Sequence, residues 1–135
     1  MSGLFHIQAR EHVALLLLEE IGRASGTHIS LQSIAEKNKA SLAYLEEIAS
    51  SLKQAGLIRG KQGPGGGYVL ARDPKEISIE AMLVAVSGPL SLVDCQSGIS
   101  CPREHACASK HIWSKIQTSL IQTLRNLTLA DMLMN

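Results

Sequence analysis

The sequence predicts a mainly α-helical fold with one small β element, and three observations carry that prediction. Apolar residues fill 45% of the chain, yet they include only one Phe, one Trp and two Tyr, so Leu, Ile, Val and Ala must build the core. Such a mix favours helices over a β-sandwich. Apolar residues recur at helical spacing along most of the chain, and only the segment 56–72 breaks that rhythm, with a run of glycine and proline.

The first helix is expected from Gln8 to about Ala24, with Val13, Leu16, Leu17 and Ile21 inward and Gly26 as its stop. A short second helix follows in "THISLQSIAEKNKA", capped by Ser30, with Leu31, Ile34 and Ala35 inward. The third, "SLAYLEEIASSLKQAGLI", has Ser41 as N-cap and Gly56 as its close; Leu42, Leu45, Ile48, Ala49 and Leu52 form its buried stripe. Two short helices joined by "KNKA" make a helix-turn-helix, with residues 41–53 as the recognition helix.

In "GLIRGKQGPGGGYVLAR", four glycines and a proline fill the five positions 63–67, between the β-prone runs Leu57-Ile58 and Tyr68-Val69-Leu70. Two short strands around a basic tip, directly after a helix-turn-helix, make a wing. A dinucleotide-binding reading of the glycines fails because no strand-to-helix turn follows them. "DPKEISIEAMLVAVSG" gives a fourth helix, capped by Ser78, with Ile79, Met82, Leu83 and Val86 inward and Gly88-Pro89 as its end. A long helix from about Ala108 to Asn126 carries the stripe Ile112, Trp113, Ile116, Leu120, Leu124 and Leu127. That stripe suits a second copy of the same helix, and packing onto its own domain explains it equally well. Thr128 and Asp131 are spaced as a capping box for a terminal turn.

Between the fourth helix and the long one lies "DCQSGISCPREHACASK", which holds all three cysteines, Cys95, Cys101 and Cys107, each pair five residues apart. The start of the chain lacks the pattern of a signal peptide, and "VALLLL" is far shorter than a membrane span, so a soluble cytoplasmic protein is expected. Structural disulfides are uncommon in that compartment, and an odd cysteine count leaves one thiol over. The polar, turn-forming neighbours argue against a core role and for a metal or redox site. The net charge of +1 announces no nucleic-acid binder by itself. Over 36–75, however, seven basic residues face four acids, clustered at the turn and wing where phosphates would lie.

The helix-turn-helix, the "GPGGGYVLAR" wing and the Cys-x5-Cys-x5-Cys loop leading through Trp113 into "NLTLADML" together resemble one family. It is the family of winged-helix transcription regulators that includes IscR, NsrR, RirA and CymR, and the resemblance runs from about Ala9 to the end of the chain. It implies a homodimer that binds a palindromic double-stranded DNA operator, and an iron–sulfur cluster on Cys95, Cys101 and Cys107. Thiolates suit such a cluster, since soft sulfur stabilises its irons.

IscR-type proteins place a histidine three positions after the last cysteine, where this chain has Lys110, a poor ligand when protonated. Glu11 matches the place of a carboxylate that other members supply from the partner's first helix; His111 and His105 are the other candidates for the fourth ligand. An ordinary exposed helix face explains Glu11 and His12 as well. Without the histidine, a 4Fe–4S cluster is favoured over 2Fe–2S.

The resemblance also places a DNA-binding surface on Ser30, Lys39, Ser41, Ala43, Tyr44, Glu46, Glu47, Arg59, Lys61 and Gln62. Glu46 stands where IscR-like proteins use a carboxylate to read bases, and a carboxylate can accept from cytosine N4. Gln62 replaces the family's minor-groove arginine, leaving Lys61 or Arg59 to reach the groove. Ile112, Trp113, Ile116, Leu120 and Leu124 are the expected dimerisation residues.

The expected organisation is therefore a winged helix-turn-helix over 1–89, a cysteine loop over 90–107, and a dimerisation helix with a short terminal helix over 108–135. The expected function is a repressor that senses iron–sulfur status, nitric oxide or redox state. A cluster-free thiol or zinc regulator of the same fold is the alternative, and a small metalloenzyme or cluster carrier is a more distant one. No nucleophile–base pair suggests catalysis, and His6, His12 and His28 are dispersed.

Overall fold

The computed structural model of the chain describes residues 6–92 and 108–134. Six helices and one hairpin follow in the order α1 (Ala9–Arg23), α2 (Leu31–Asn38), α3 (Leu42–Gln54), β1 (Ile58–Lys61), β2 (Gly67–Leu70), α4 (Ile79–Ser87), α5 (Ser109–Asn126) and α6 (Leu129–Leu133). A 3₁₀ turn, Pro74–Glu76, precedes α4; the Asp73 side chain accepts the Lys75 N–H at its start. The mainly α, winged-helix expectation is met.

The helix ends are fixed by local chemistry. The hydroxyls of Ser30, Ser41 and Ser78 accept the N–H groups of Ser33, Tyr44 and Ala81 at 3.1, 3.3 and 3.0 Å, satisfying donors that have no intrahelical partner. At the end of α3, Gly56 adopts φ +77°, its N–H reaches Lys53 O, and Leu57 N–H reaches Leu52 O. Leu52 and Leu57 are both buried, which completes the Schellman pattern. The turn between α2 and α3 is tighter than its residues prefer. Lys39 stands at φ +52°, where a non-glycine residue costs about 1–2 kcal/mol.

β1 and β2 pair antiparallel from Ile58↔Leu70 to Lys61↔Gly67. Ile29 adds an isolated bridge to Tyr68, with N–H···O distances of 3.1 and 2.8 Å, and so ties the hairpin to the segment before α2. Backbone approaches backbone closely here. A Cβ on Gly67 would lie 2.4 Å from Ile29 O, and one on Gly66 2.3 Å from Lys61 O, so no side chain fits at either position.

One core unites the helices other than α5 with the hairpin. It contains Ala14, Leu17, Leu18 and Ile21 of α1, Ile34 of α2, Leu45, Ile48, Ala49 and Leu52 of α3, Ile58, Ile77, Met82 and Val86, and Leu129 of α6. α6 enters it because Ile79 N–H donates to Leu127 O and Leu129 N–H to Ile77 O, each at 2.8 Å. Arg125 donates to both carboxylate oxygens of Glu80, joining the end of α5 to the start of α4.

Five inward expectations shift, among them Val13, which is half-buried against the core. Leu16 is only half-buried, and Ala14 and Leu18 take places in the core. In an unbroken apolar run the burial phase of a helix has no polar residue to mark it. Leu42 is 38% exposed instead of joining the α3 stripe. It is the first residue of that helix, and helical side chains lean toward the N-terminus, here off the helix end. Ile79 and Leu83 are half-buried against the core.

Among the described residues α5 buries no side chain: Ile112 is 60% exposed and Ile116 36%. No described helix is long and apolar enough to cross a membrane.

Candidate nucleic-acid interface

With Leu45, Ile48, Ala49 and Leu52 in the core, α3 turns Ala43, Glu46, Glu47 and Ser50 to solvent. Tyr44 is half-buried and packs against the core. Ser30 and Ser41 are exposed, but each hydroxyl already accepts a capping N–H, leaving its own O–H free to donate to a phosphate. Lys39 at the helix-turn-helix corner is exposed, as are Arg59, Lys61 and Gln62 at the tip of the hairpin. The Ile29–Tyr68 bridge sets that tip relative to α2. The exposed end of a rigid helix with a basic hairpin beside it is chemically suited to a polyanion: donors and cations for phosphates, and short or carboxylate side chains for base edges.

Glu47 is not a free carboxylate. Arg10 of α1 donates Nη1–H to Glu47 Oε1 at 2.8 Å and Nε–H to Val86 O, in the last turn of α4, at 2.6 Å. Its partners lie 37 and 76 residues away in sequence, so no local pattern marks Arg10, and sequence reasoning missed it.

Glu11, the candidate cluster ligand, is also engaged. Its Oε2 accepts Gln8 N–H at 2.8 Å, which caps α1, and its other oxygen accepts the Ser87 hydroxyl at the end of α4. Burial alone pushes the Glu11 carboxyl up. The hydrogen bonds from Ser87 and from the backbone N–H groups of Glu11 and Gln8, with the Arg10 charge, outweigh it and hold the group below the usual carboxylate range. A lowered folded-state pKa stabilises the protein above the unfolded-state value, and that contribution disappears as the pH falls through the folded-state value. Glu11→Gln is therefore expected to lower the thermal midpoint at neutral pH, by the equivalent of about 1 kcal/mol. The gap from the native chain should close on acidification; a gap independent of pH would show that the charge on Glu11 is immaterial.

Cys95, Cys101, Cys107 and His105 lie outside the described residues. His111 is exposed near the start of α5. Among the described residues no three His, Cys, Asp or Glu gather as a metal site. Leu92, just before the cysteine segment, is held by its N–H to Gln117 Oε1 of α5 at 3.1 Å. The dimerisation candidates Trp113, Ile116, Leu120 and Leu124 line one wall of an apolar groove of about 870 Å³, with Leu83, Leu90 and Leu92 opposite.

Comparison with known proteins bears out the family resemblance. Residues 7–135 match the family model described as "Rrf2: Iron-dependent Transcriptional regulator". The HTH-type transcriptional regulator IscR of Serratia proteamaculans is 34% identical over 107 residues, 79% of this chain. The match spans only 65% of that longer relative. Among solved structures, CymR, the global cysteine regulator of B. subtilis, superposes with a TM-score of 0.81 at 28% identity, covering 96% of both chains. IscR of T. potens superposes at 0.71 with 30% identity, over 96% of this chain and 86% of that one. These relatives are named as regulators, not as enzymes. The chain belongs to the Rrf2 family of iron-dependent transcriptional regulators.

Proposed function

We propose that two copies of this chain form a transcription regulator, acting as a repressor, that binds a palindromic operator and senses iron–sulfur, nitric oxide or redox state. The observation that carries the DNA-binding half is the exposed first half of α3 on a helix whose other face is locked into the core. Ala43, Glu46 and Glu47 lie where such a helix reads base edges in a major groove. Arg59, Lys61 and Gln62 reach the minor groove or flanking phosphates, and Ser30, Lys39 and Ser41 contact the backbone. The exposed α5 stripe pairs with its copy in the second subunit, which sets the distance between the two α3 helices.

The sensing half rests on donor chemistry. Three thiolates, Cys95, Cys101 and Cys107, would hold an iron–sulfur cluster, of 4Fe–4S type in preference to 2Fe–2S, and a bound cluster supplies irons that oxygen and nitric oxide attack. For Glu11 to serve as the fourth ligand, the metal would have to share an oxygen with the Gln8 N–H or the Ser87 hydroxyl, or replace one of them. His111 and His105 stay as the other candidates.

Likeness to CymR favours a second reading, a regulator of the same fold that uses the three thiols without a cluster.

Native mass spectrometry of the anaerobically purified protein separates the two readings. A dimer heavier by one cluster per subunit is expected. A metal-free dimer, even after reconstitution with iron and sulfide, overturns the cluster reading. Selection from a random duplex pool should enrich an inverted repeat; no enrichment by either form overturns the DNA reading.

A further inference from the structure

We infer that Arg10 is a positioning residue that sets the tilt of the recognition helix by tying it to the end of α4. The inference rests on the DNA-binding reading above.

Three elements meet at this one guanidinium. Val86 O belongs to the last turn of α4, whose carbonyls have no partner within the helix and form the negative end of its dipole. A cation supplied by α1 satisfies it at 2.6 Å. The same planar group reaches Glu47 of α3 at 2.8 Å. A guanidinium presents its donors in a fixed fork, so holding two acceptors at once fixes an angle as well as a distance. The neighbouring Glu11 takes the Ser87 hydroxyl, so two consecutive residues of α1 grip two consecutive residues of α4.

The Arg10–Glu47 pair has side chains 32% and 61% exposed. Ion pairs that exposed contribute little to stability. Its effect is geometric: the buried face anchors α3 against the core, and the clasp from Val86 to Glu47 fixes its solvent side as well. Any displacement of residues 86–87, the last helical turn before the cysteine segment, is passed through one side chain to the helix that reads DNA.

In a dimer, a change of tilt in both recognition helices changes the half-site spacing that they fit. That provides a readout which a purely stabilising residue would not move. The full-length protein first selects its site from a random duplex pool. Affinities are then measured for that site and for versions with the two halves one base pair closer or farther apart. The native chain should prefer its own spacing by about tenfold, and Arg10→Gln should flatten that preference while its thermal midpoint stays near the native value. Arg10→Lys keeps the charge but not the fork and should flatten it too.

An unchanged preference in Arg10→Gln overturns the inference. So does a loss of affinity that is equal at every spacing, because that is what removal of a charge alone would do. Should Arg10→Gln fail to fold, Arg10→Lys, which keeps the charge, decides by the same criteria. A native chain that selects no site at all overturns the DNA-binding reading and this inference with it, a result distinct from selection without a spacing effect.

Discussion

Ile116→Asp is expected to give a folded monomer whose operator affinity falls at least about a hundredfold. Ile116 stands mid-helix on α5, between Trp113 and Leu120 on the groove wall, and is 36% exposed in the single chain. It is not fully buried on its own domain, so a carboxylate there keeps contact with water in the monomer and leaves the fold intact. In the proposed dimer the same carboxylate meets the partner's apolar stripe without a counter-charge, at a cost of several kcal/mol per ion. Losing the second subunit removes the gain from linking two half-site readers, roughly 10²–10⁴ in affinity. Sedimentation or light scattering gives the mass, and the thermal midpoint checks the fold. A dimer as stable as the native one would refute the pairing of α5 with its copy.

The second large effect is on stability. Leu129→Ala is expected to destabilise the protein by about 2–5 kcal/mol, a fall of roughly 10 °C in Tm. Leu129 is fully buried, and it comes from a five-residue helix too short to hold itself together in water. Its anchorage is tertiary: the N–H to Ile77 O, the Ser78–Thr128 bridge and the contact of α6 with α1, where a Cβ on Gly22 would meet Leu133 Cδ1 at 2.8 Å. Truncating Leu129 leaves the backbone bonds and opens a cavity in the core. Thermal denaturation followed by circular dichroism measures the loss; a change below about 1 kcal/mol would mean that α6 detaches readily from the core.

Much of this architecture was legible because its punctuation is local. Ser30, Ser41 and Ser78 are followed by helical periodicity, Gly56 by a strand, and Gly63–Gly67 admit only a turn, so the helix-turn-helix and wing could be placed from neighbours in sequence. The phase of α1 was not legible, because "VALLLL" offers no polar residue to mark the outward face. Leu42 fits the α3 stripe by periodicity, and only its position at a helix end turns it outward. The candidate interface was legible only as residue types, of which the structure leaves Ser30, Lys39, Ser41, Ala43, Glu46, Glu47, Arg59, Lys61 and Gln62 exposed and Tyr44 half-buried. What ties it together was not. Arg10 finds Glu47 and Val86, and Glu11 finds Ser87, across distances at which sequence spacing carries no information. The packing of α5 was open from the sequence, and its stripe, exposed at Ile112, Ile116 and Leu127 and half-buried at Trp113, Leu120 and Leu124, favours a partner.

The seat of Leu129 in the core has a consequence for synthesis. The helix-turn-helix and wing leave the ribosome first, but their shared interior is still open on one side until residue 129 has cleared the exit tunnel. At about 5–20 residues per second, translating the 42 positions from Gly88 to Leu129 takes on the order of a few seconds. During that interval the nascent recognition helix sits on an unfinished scaffold, so competence to bind DNA arrives only after the cysteine segment and α5 have also been made. A regulator built this way does not occupy its operator ahead of the proposed sensing and pairing elements.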